Sequence, residues 1–149
     1  MDETEATISP SQPPSPAWPR TLVVVPTYNE RENLRLLVER LLALGEHIEV
    51  LAIDDNSPDL TGQVAMALAR ENPRVKVLLR PSKMGLGSAY LAGFQYALKG
   101  RYERVVTMDA DFSHDPSYVP AVIGVTRTRD VGIGSRYVSG GGTRNWGWR

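Results

Sequence analysis

Two carboxylates stand two positions apart in "RVVTMDADFSHDP", residues 104–116. An apolar run leads into Asp109, the small Ala110 follows, and then comes Asp111. In extended backbone, residues i and i+2 face the same way, about 6.5–7 Å apart at Cα. Like charges that close repel, so a cation between them resolves the arrangement. Carboxylate oxygens are hard ligands. Mg²⁺ and Mn²⁺ suit them, and Mg²⁺ usually takes one or two carboxylates together with substrate phosphates. Asp109 and Asp111 are therefore candidate metal ligands, and Ala110 is small enough for its backbone to approach a ligand. A solvated acidic turn is the competing reading, and the position after a strand favours the metal.

A second acidic motif is "LAIDDNSPD", with Asp54 and Asp55 at the end of an apolar run. A carboxylate there can accept hydrogen bonds from a base or a ribose. Asp54, Asn56 and Ser57 are equally suited to capping the next helix. "PTYNE" carries the same ambiguity. Asn29 fits a helix cap, whereas Tyr28 and Glu30 can meet a base or a sugar. "KMGLGSAYLAG" is not a dinucleotide fingerprint, because Tyr90 stands where the third glycine of G-x-G-x-x-G belongs, and no Gly-Lys-Ser/Thr occurs. Gly85 and Gly87 suit a tight turn beside a nucleotide. Lys83 can offset phosphate charge or simply be solvated. Arg136, in the glycine-rich basic segment "GIGSRYVSGGGTRNWGWR", is the best candidate for gripping phosphate. Trp146 and Trp148 suit either a membrane interface or a core.

Composition removes several other chemistries. The 149 residues contain no Cys, so disulfides and thiolate metal sites are excluded. Only His47 and His114 are available, which excludes a multi-histidine zinc centre. Lys+Arg and Asp+Glu balance at 17 each, against a surface that coats nucleic acid. No apolar run approaches the ~18–20 residues of a membrane span. The start "MDETEA" lacks the apolar region of a secretory signal. A cytoplasmic chain is the expectation.

These residues need elements to position them. Residues 1–19 hold five prolines and little aliphatic bulk, and read as a disordered tail or a proline-rich docking ligand. Residues 20–149 form the domain. Strands are expected at "TLVVV" from Thr21, Ile48–Ile53, Val75–Leu79, "RVVTM" from Arg104, and Val131–Gly134. The first helix carries an apolar stripe at Leu34, Leu37, Val38, Leu41 and Leu42, with Asn29 and Glu32 spaced as a capping box and Gly45 closing it. Further helices are expected over roughly Thr61–Arg70 and Ser88–Leu98. The latter has Leu91, Phe94 and Leu98 on one face. A short helix follows the N-cap Asp115 and Pro116. Such alternation predicts an α/β domain, a Rossmann-like, mostly parallel sheet with helices on both faces. With strand order 3-2-1-4, the order reverses between the first and fourth strands, where such sheets bind ligands. "PTYNE", "DDNS" and "DAD" then converge on one crevice.

Taken together, "VVVPTYNERENL", "LAIDDNSPDLTG", "RPSKMGLGSAYLAGF", "VVTMDADFSHDP" and "GIGSRYVSGGG" resemble the dolichol-phosphate mannosyltransferases, called polyprenol monophosphomannose synthases in actinobacteria. These are inverting glycosyltransferases of family 2 with the GT-A fold. The resemblance runs from about Leu22 to the end. It implies transfer of mannose from GDP-mannose to a polyprenyl phosphate at the cytoplasmic face of a membrane, with peripheral membrane contact in the full-length family. It implies that Pro26, Tyr28, Glu30, Ile53 and Asp55 line the guanosine pocket. Asp109 and Asp111 would hold Mg²⁺ or Mn²⁺ on the diphosphate, Ala110 would meet the nucleotide through its backbone, and Arg136 would contact phosphate. Two departures stand out. Ser113 occupies a position where some relatives have a metal-binding Gln, and the chain stops before the acceptor half of the family, as a fragment or truncated product would. UDP-glucose as donor, or a nucleotide-binding module without turnover, are the alternatives.

Overall fold

The computed structural model describes residues 17–137, 139, 140 and 142. Elements alternate along them: β1 (Thr21–Thr27), α1 (Arg31–Leu42), β2 (Ile48–Asp54), α2 (Thr61–Glu71), β3 (Val75–Leu79), α3 (Leu86–Lys99) and β4 (Arg104–Thr107). A 3-10 turn (Pro116–Tyr118) and α4 (Val119–Val125) follow. The strands form one parallel sheet in the order β3-β2-β1-β4. Their carboxyl ends therefore all lie at one edge, and the order reverses between β1 and β4.

Both faces of the sheet are covered, which is why β1 reads as a continuous apolar run rather than an alternating one. Val23 and Val25 join one core cluster with Leu34, Leu37, Val38 and Leu41 of α1, Ala65 and Leu68 of α2, and Val119 and Ile123. Leu22 and Val24 point the other way, into a cluster with Ala89 and Ala97 of α3. Each fully buried Leu or Val contributes roughly 1.5–3 kcal/mol.

α3 packs differently from its sequence pattern. Leu91, Phe94 and Leu98 do share a stripe, but it faces solvent. The core-facing stripe is Ala89, Gly93 and Ala97. The reason is close approach. A Cβ on Gly93 would lie 2.5 Å from Val24 Cγ1 and 3.0 Å from Cγ2. A bulky residue has no room on that face. Gly93→Ala should therefore destabilise the fold by about 1–3 kcal/mol through overpacking, measurable as a shift in the urea midpoint. A neutral or stabilising effect would contradict the packing.

Three other expectations change. Residues Val131–Gly134 form no strand, and Val131 and Ile133 are 70% and 84% exposed. A strand exists only through a paired neighbour, and among the described residues the sheet ends at β4. The capping box at Asn29 and Glu32 is absent. Asn29 sits at φ 61, Glu30 is the N-cap, and no side chain of the helix itself caps it. Instead the N–H groups of Glu30 and Arg31 donate to Thr61 Oγ1 (2.9 Å), at the start of α2, and to Asp59 Oδ2 (3.1 Å), in the loop after β2. α1 ends at Leu42 with Ala43 as its C-cap, and Gly45 (φ 152) lies beyond it. By contrast, Asp115 does cap the turn at Pro116, accepting from Ser117 N–H at 2.9 Å. The tail, apart from Ala17–Pro19, and both Trp146 and Trp148 lie outside the described residues. Trp18 stacks on His47 with ring centroids 5.3 Å apart.

Candidate functional site

Pro26 opens the crevice. β4 pairs with β1 only from Thr21 to Val24, and Met108 N–H donates to Val24 O at 3.2 Å. Alternate residues of β1 face alternate neighbours, so Pro26 faces the β4 side, where no strand partner needs the N–H it lacks. Beyond this point β1 and β4 part. Tyr28 and Glu30 follow from one lip, and Asp109 and Asp111 from the other.

The acidic loop keeps the strand's alternation past the end of β4. Met108 and Ala110 are 3% and 2% exposed and belong to the core. Asp109 is half-buried and Asp111 exposed. Ser113 N–H donates to Asp111 Oδ1 at 2.9 Å. The Ser113 hydroxyl and N–H beside it hold the Asp111 carboxyl below the usual range, so it is ionised at neutral pH. Tyr90 OH donates to Asp109 Oδ1 at 3.4 Å, and burial together with the Asp109 charge pushes the Tyr90 phenol up. Asp109 N–H donates to His114 Nδ1 at 3.2 Å, and His114 Nε2 lies 4.0 Å from Asp109 Oδ2. Among the described residues, no group of three His, Cys, Asp or Glu is placed to hold a metal. Two carboxylates with no third residue of these types to complete a set fit a Mg²⁺- or Mn²⁺-type ion that completes its shell with phosphate oxygens and water, and do not fit a closed structural site.

The two neighbouring aspartates after β2 do different work. Asp54 is structural. It is 2% exposed and accepts from Thr27 Oγ1 (2.9 Å), Ser57 Oγ (2.6 Å) and Ser57 N–H (3.0 Å). Asp55 is gripped by a residue that the sequence reading missed. Arg80 donates through Nε to Oδ1 (2.6 Å) and through Nη2 to Oδ2 (2.7 Å), with both side chains buried. Met84 N–H adds a third bond at 3.3 Å. A carboxylate has about four lone-pair sites, so one remains for a ligand. Arg80 also reaches Ser88 Oγ (2.7 Å), tying the first turn of α3 to Asp55. Its signal was register. β2 pairs β3 as Asp54↔Leu79, so the next residues, Asp55 and Arg80, are neighbours.

The other expected site residues fall as follows. Tyr28 is exposed on its lip, and Lys83 Nζ lies 4.1 Å from its ring centroid. Glu30 Oε2 accepts from Asn33 Nδ2 at 3.0 Å. The Ile53 side chain is fully buried in the α3-side core, and its carbonyl accepts from Thr27 Oγ1 at 3.3 Å. Arg136 lies in an exposed turn after α4, not on a strand end; there Tyr137 N–H donates to Ser135 Oγ at 3.1 Å. No described helix is long and apolar enough to cross a membrane.

The sequence matches the model of glycosyl transferase family 2 over residues 22–149. It is 49% identical over 149 residues to polyprenol monophosphomannose synthase of Mycolicibacterium smegmatis, covering 99% of this chain and 54% of that protein. It is 48% identical over 127 residues to undecaprenyl-phosphate mannosyltransferase of Micrococcus luteus, covering 85% and 52%. The chain thus spans about half the length of these curated relatives. Among solved structures, a mannosyltransferase of Pyrobaculum calidifontis in complex with GDP-mannose and Mn²⁺ superimposes with a TM-score of 0.54 at 26% identity, over 64% of this chain and 28% of that one. Glucosyl-3-phosphoglycerate synthase of Mycobacterium tuberculosis shares the fold, with a TM-score of 0.56 at 23% identity over 74% and 40%. The parallel sheet and its helices are the amino-terminal part of a GT-A-like domain. With the family match running from Leu22 onward and relatives near half identity across the same span, the chain belongs to glycosyl transferase family 2.

Proposed function

We propose that this chain is the nucleotide-sugar-binding part of an inverting, metal-dependent enzyme that transfers mannose from GDP-mannose to a polyprenyl phosphate. The product would be polyprenyl phosphate mannose for lipid-linked glycan or glycoprotein synthesis. The observation that carries the reading is that Tyr28, Asp55, Asp109 and Asp111 all follow the carboxyl ends of β1, β2 and β4, at one edge of the parallel sheet, in a chain near half identical to polyprenyl-phosphate mannosyltransferases. Pro26, Tyr28, Glu30, Asp55 and the backbone near Ile53 and Ala110 receive the nucleoside. Asp109 and Asp111 would hold the Mg²⁺ or Mn²⁺. When bound, the ion offsets charge developing on the departing diphosphate. Arg136 adds a guanidinium for phosphate.

The remaining chemistry asks little of the chain. A phosphate monoester has a second pKa of about 6, so the acceptor is already an anionic nucleophile at neutral pH. Alignment rather than a general base is what the site supplies, and β-mannosyl phosphate follows from inversion of an α-linked donor. The acceptor lipid and peripheral contact with a cytoplasmic membrane face are proposed for the full-length protein. One further reading is a nucleotide-binding module without turnover.

Calorimetric titration with GDP, UDP and GDP-mannose, with and without Mn²⁺, tests the donor. GDP should bind at least tenfold more tightly than UDP, about 1.4 kcal/mol, and only with Mn²⁺ present at full strength. A preference for UDP overturns the mannosyl assignment. Transfer to polyprenyl phosphate by a full-family-length chain, alongside binding without transfer by this one, would establish the module reading.

A further inference from the structure

Each of the three loops that build the crevice turns through a left-handed, non-glycine residue directly after its site side chain. Asn29 (φ 61) follows Tyr28, Asn56 (φ 56) follows Asp55, and Phe112 (φ 61) follows Asp111. Asparagine is enriched in this conformation because its short side chain can satisfy the backbone locally. Phenylalanine has no such compensation, so its neighbours must hold it there. Two sets of neighbours do. The Phe112 ring packs against the core cluster shared by α1 and the sheet. On its outer side Arg40 of α1 lies over it, with Cζ 5.1 Å from the ring centroid, within the ~6 Å reach of a cation–π contact. Leu36, Asp115 and Pro116 complete the hollow around this pair.

The ring is therefore a wedge beneath the acidic loop. It fixes the reversal between Asp111 and Ser113 that lets Ser113 N–H reach back to Asp111 Oδ1 at 2.9 Å. We propose that Phe112, clamped by Arg40, is a positioning residue that sets the direction of the Asp111 carboxylate in the crevice. The role assigned to that carboxylate rests on the metal reading given above. Both act through Asp111.

Phe112→Gly separates the turn from the wedge, because glycine adopts φ 61 without strain. Arg40→Met removes the cation and keeps an aliphatic stem against the ring. For Phe112→Gly, Mn²⁺ affinity of the GDP-bound protein should fall at least tenfold, while GDP affinity without metal stays within twofold of wild type. Hydrogen exchange at the Ser113 amide should speed up at least tenfold. Arg40→Met should move both quantities in the same direction, severalfold. Unchanged Ser113 exchange in either folded variant overturns the positioning role. So does an equal loss of GDP affinity with and without metal, the mark of general damage. A wild-type chain whose GDP binding ignores Mn²⁺ would instead sink the metal reading, and the Ser113 exchange would still decide the role of Phe112.

Discussion

Asp111→Asn removes the Mn²⁺-dependent part of GDP binding and leaves the metal-free part in place. Asparagine keeps the size of the side chain and one oxygen but loses the charge. The crevice supplies two carboxylates, and among the described residues no group of three His, Cys, Asp or Glu is placed to hold a metal. Losing one halves the charge that the protein offers the ion. Changes merely beside a metal ligand cost about 10–100-fold in metal affinity, and loss of a ligand should cost no less. Asp109→Asn should behave alike. The measurement is a Mn²⁺ titration of the GDP-bound protein, paired with a GDP titration in chelator. Mn²⁺ affinity within threefold of wild type would show that the ion binds elsewhere. Equal losses with and without Mn²⁺ would point to a disturbed loop instead.

Arg80→Ala unfolds the chain more readily by about 3–5 kcal/mol, because it strands a buried carboxylate. Asp55 makes a two-point contact with Arg80 and has little water to turn to, since both side chains are buried. Asp55→Ala should cost a comparable amount by stranding the guanidinium. The double replacement Asp55→Leu with Arg80→Met removes both charges and should cost clearly less than the two single changes combined. That non-additivity, read from urea unfolding of all variants, identifies a coupled pair. The single Arg80 change costing under ~1 kcal/mol would mean that water compensates the carboxylate, as at exposed pairs. Nucleotide binding adds a second reading of the same pair. Where Arg80→Ala remains folded, GDP affinity should fall, because Asp55 and the Met84 loop lose their common anchor.

Local pattern carried much of the fold. The apolar stripe of α1, the span Val75–Leu79 of β3 and the cap at Asp115 all follow from short-range rules. Periodicity and capping concern residues within a turn or two of one another. The acidic loop was legible for the same reason. Alternation alone sends Met108 and Ala110 into the core and Asp109 and Asp111 the other way. What escaped lay across the chain. The groups that cap α1 come from Asp59 and Thr61, and a nearer Asn29–Glu32 pair offered a plausible local substitute.

The sequence by itself determined which residues are apolar, where the period changes between strand and helix, and which carboxylates end strands. Those are properties of neighbours in the chain, so α/β alternation and the candidate residues could be read directly. Only the tertiary structure decided how the pieces meet. Strand order put the Pro26 gap beside Asp109, and register set Arg80 against Asp55. The closeness of α3 to Val24 turned Leu91, Phe94 and Leu98 outward. An apolar stripe states that a face can be buried. Which face is buried depends on the distance to a partner, and that distance is fixed by residues far along the chain.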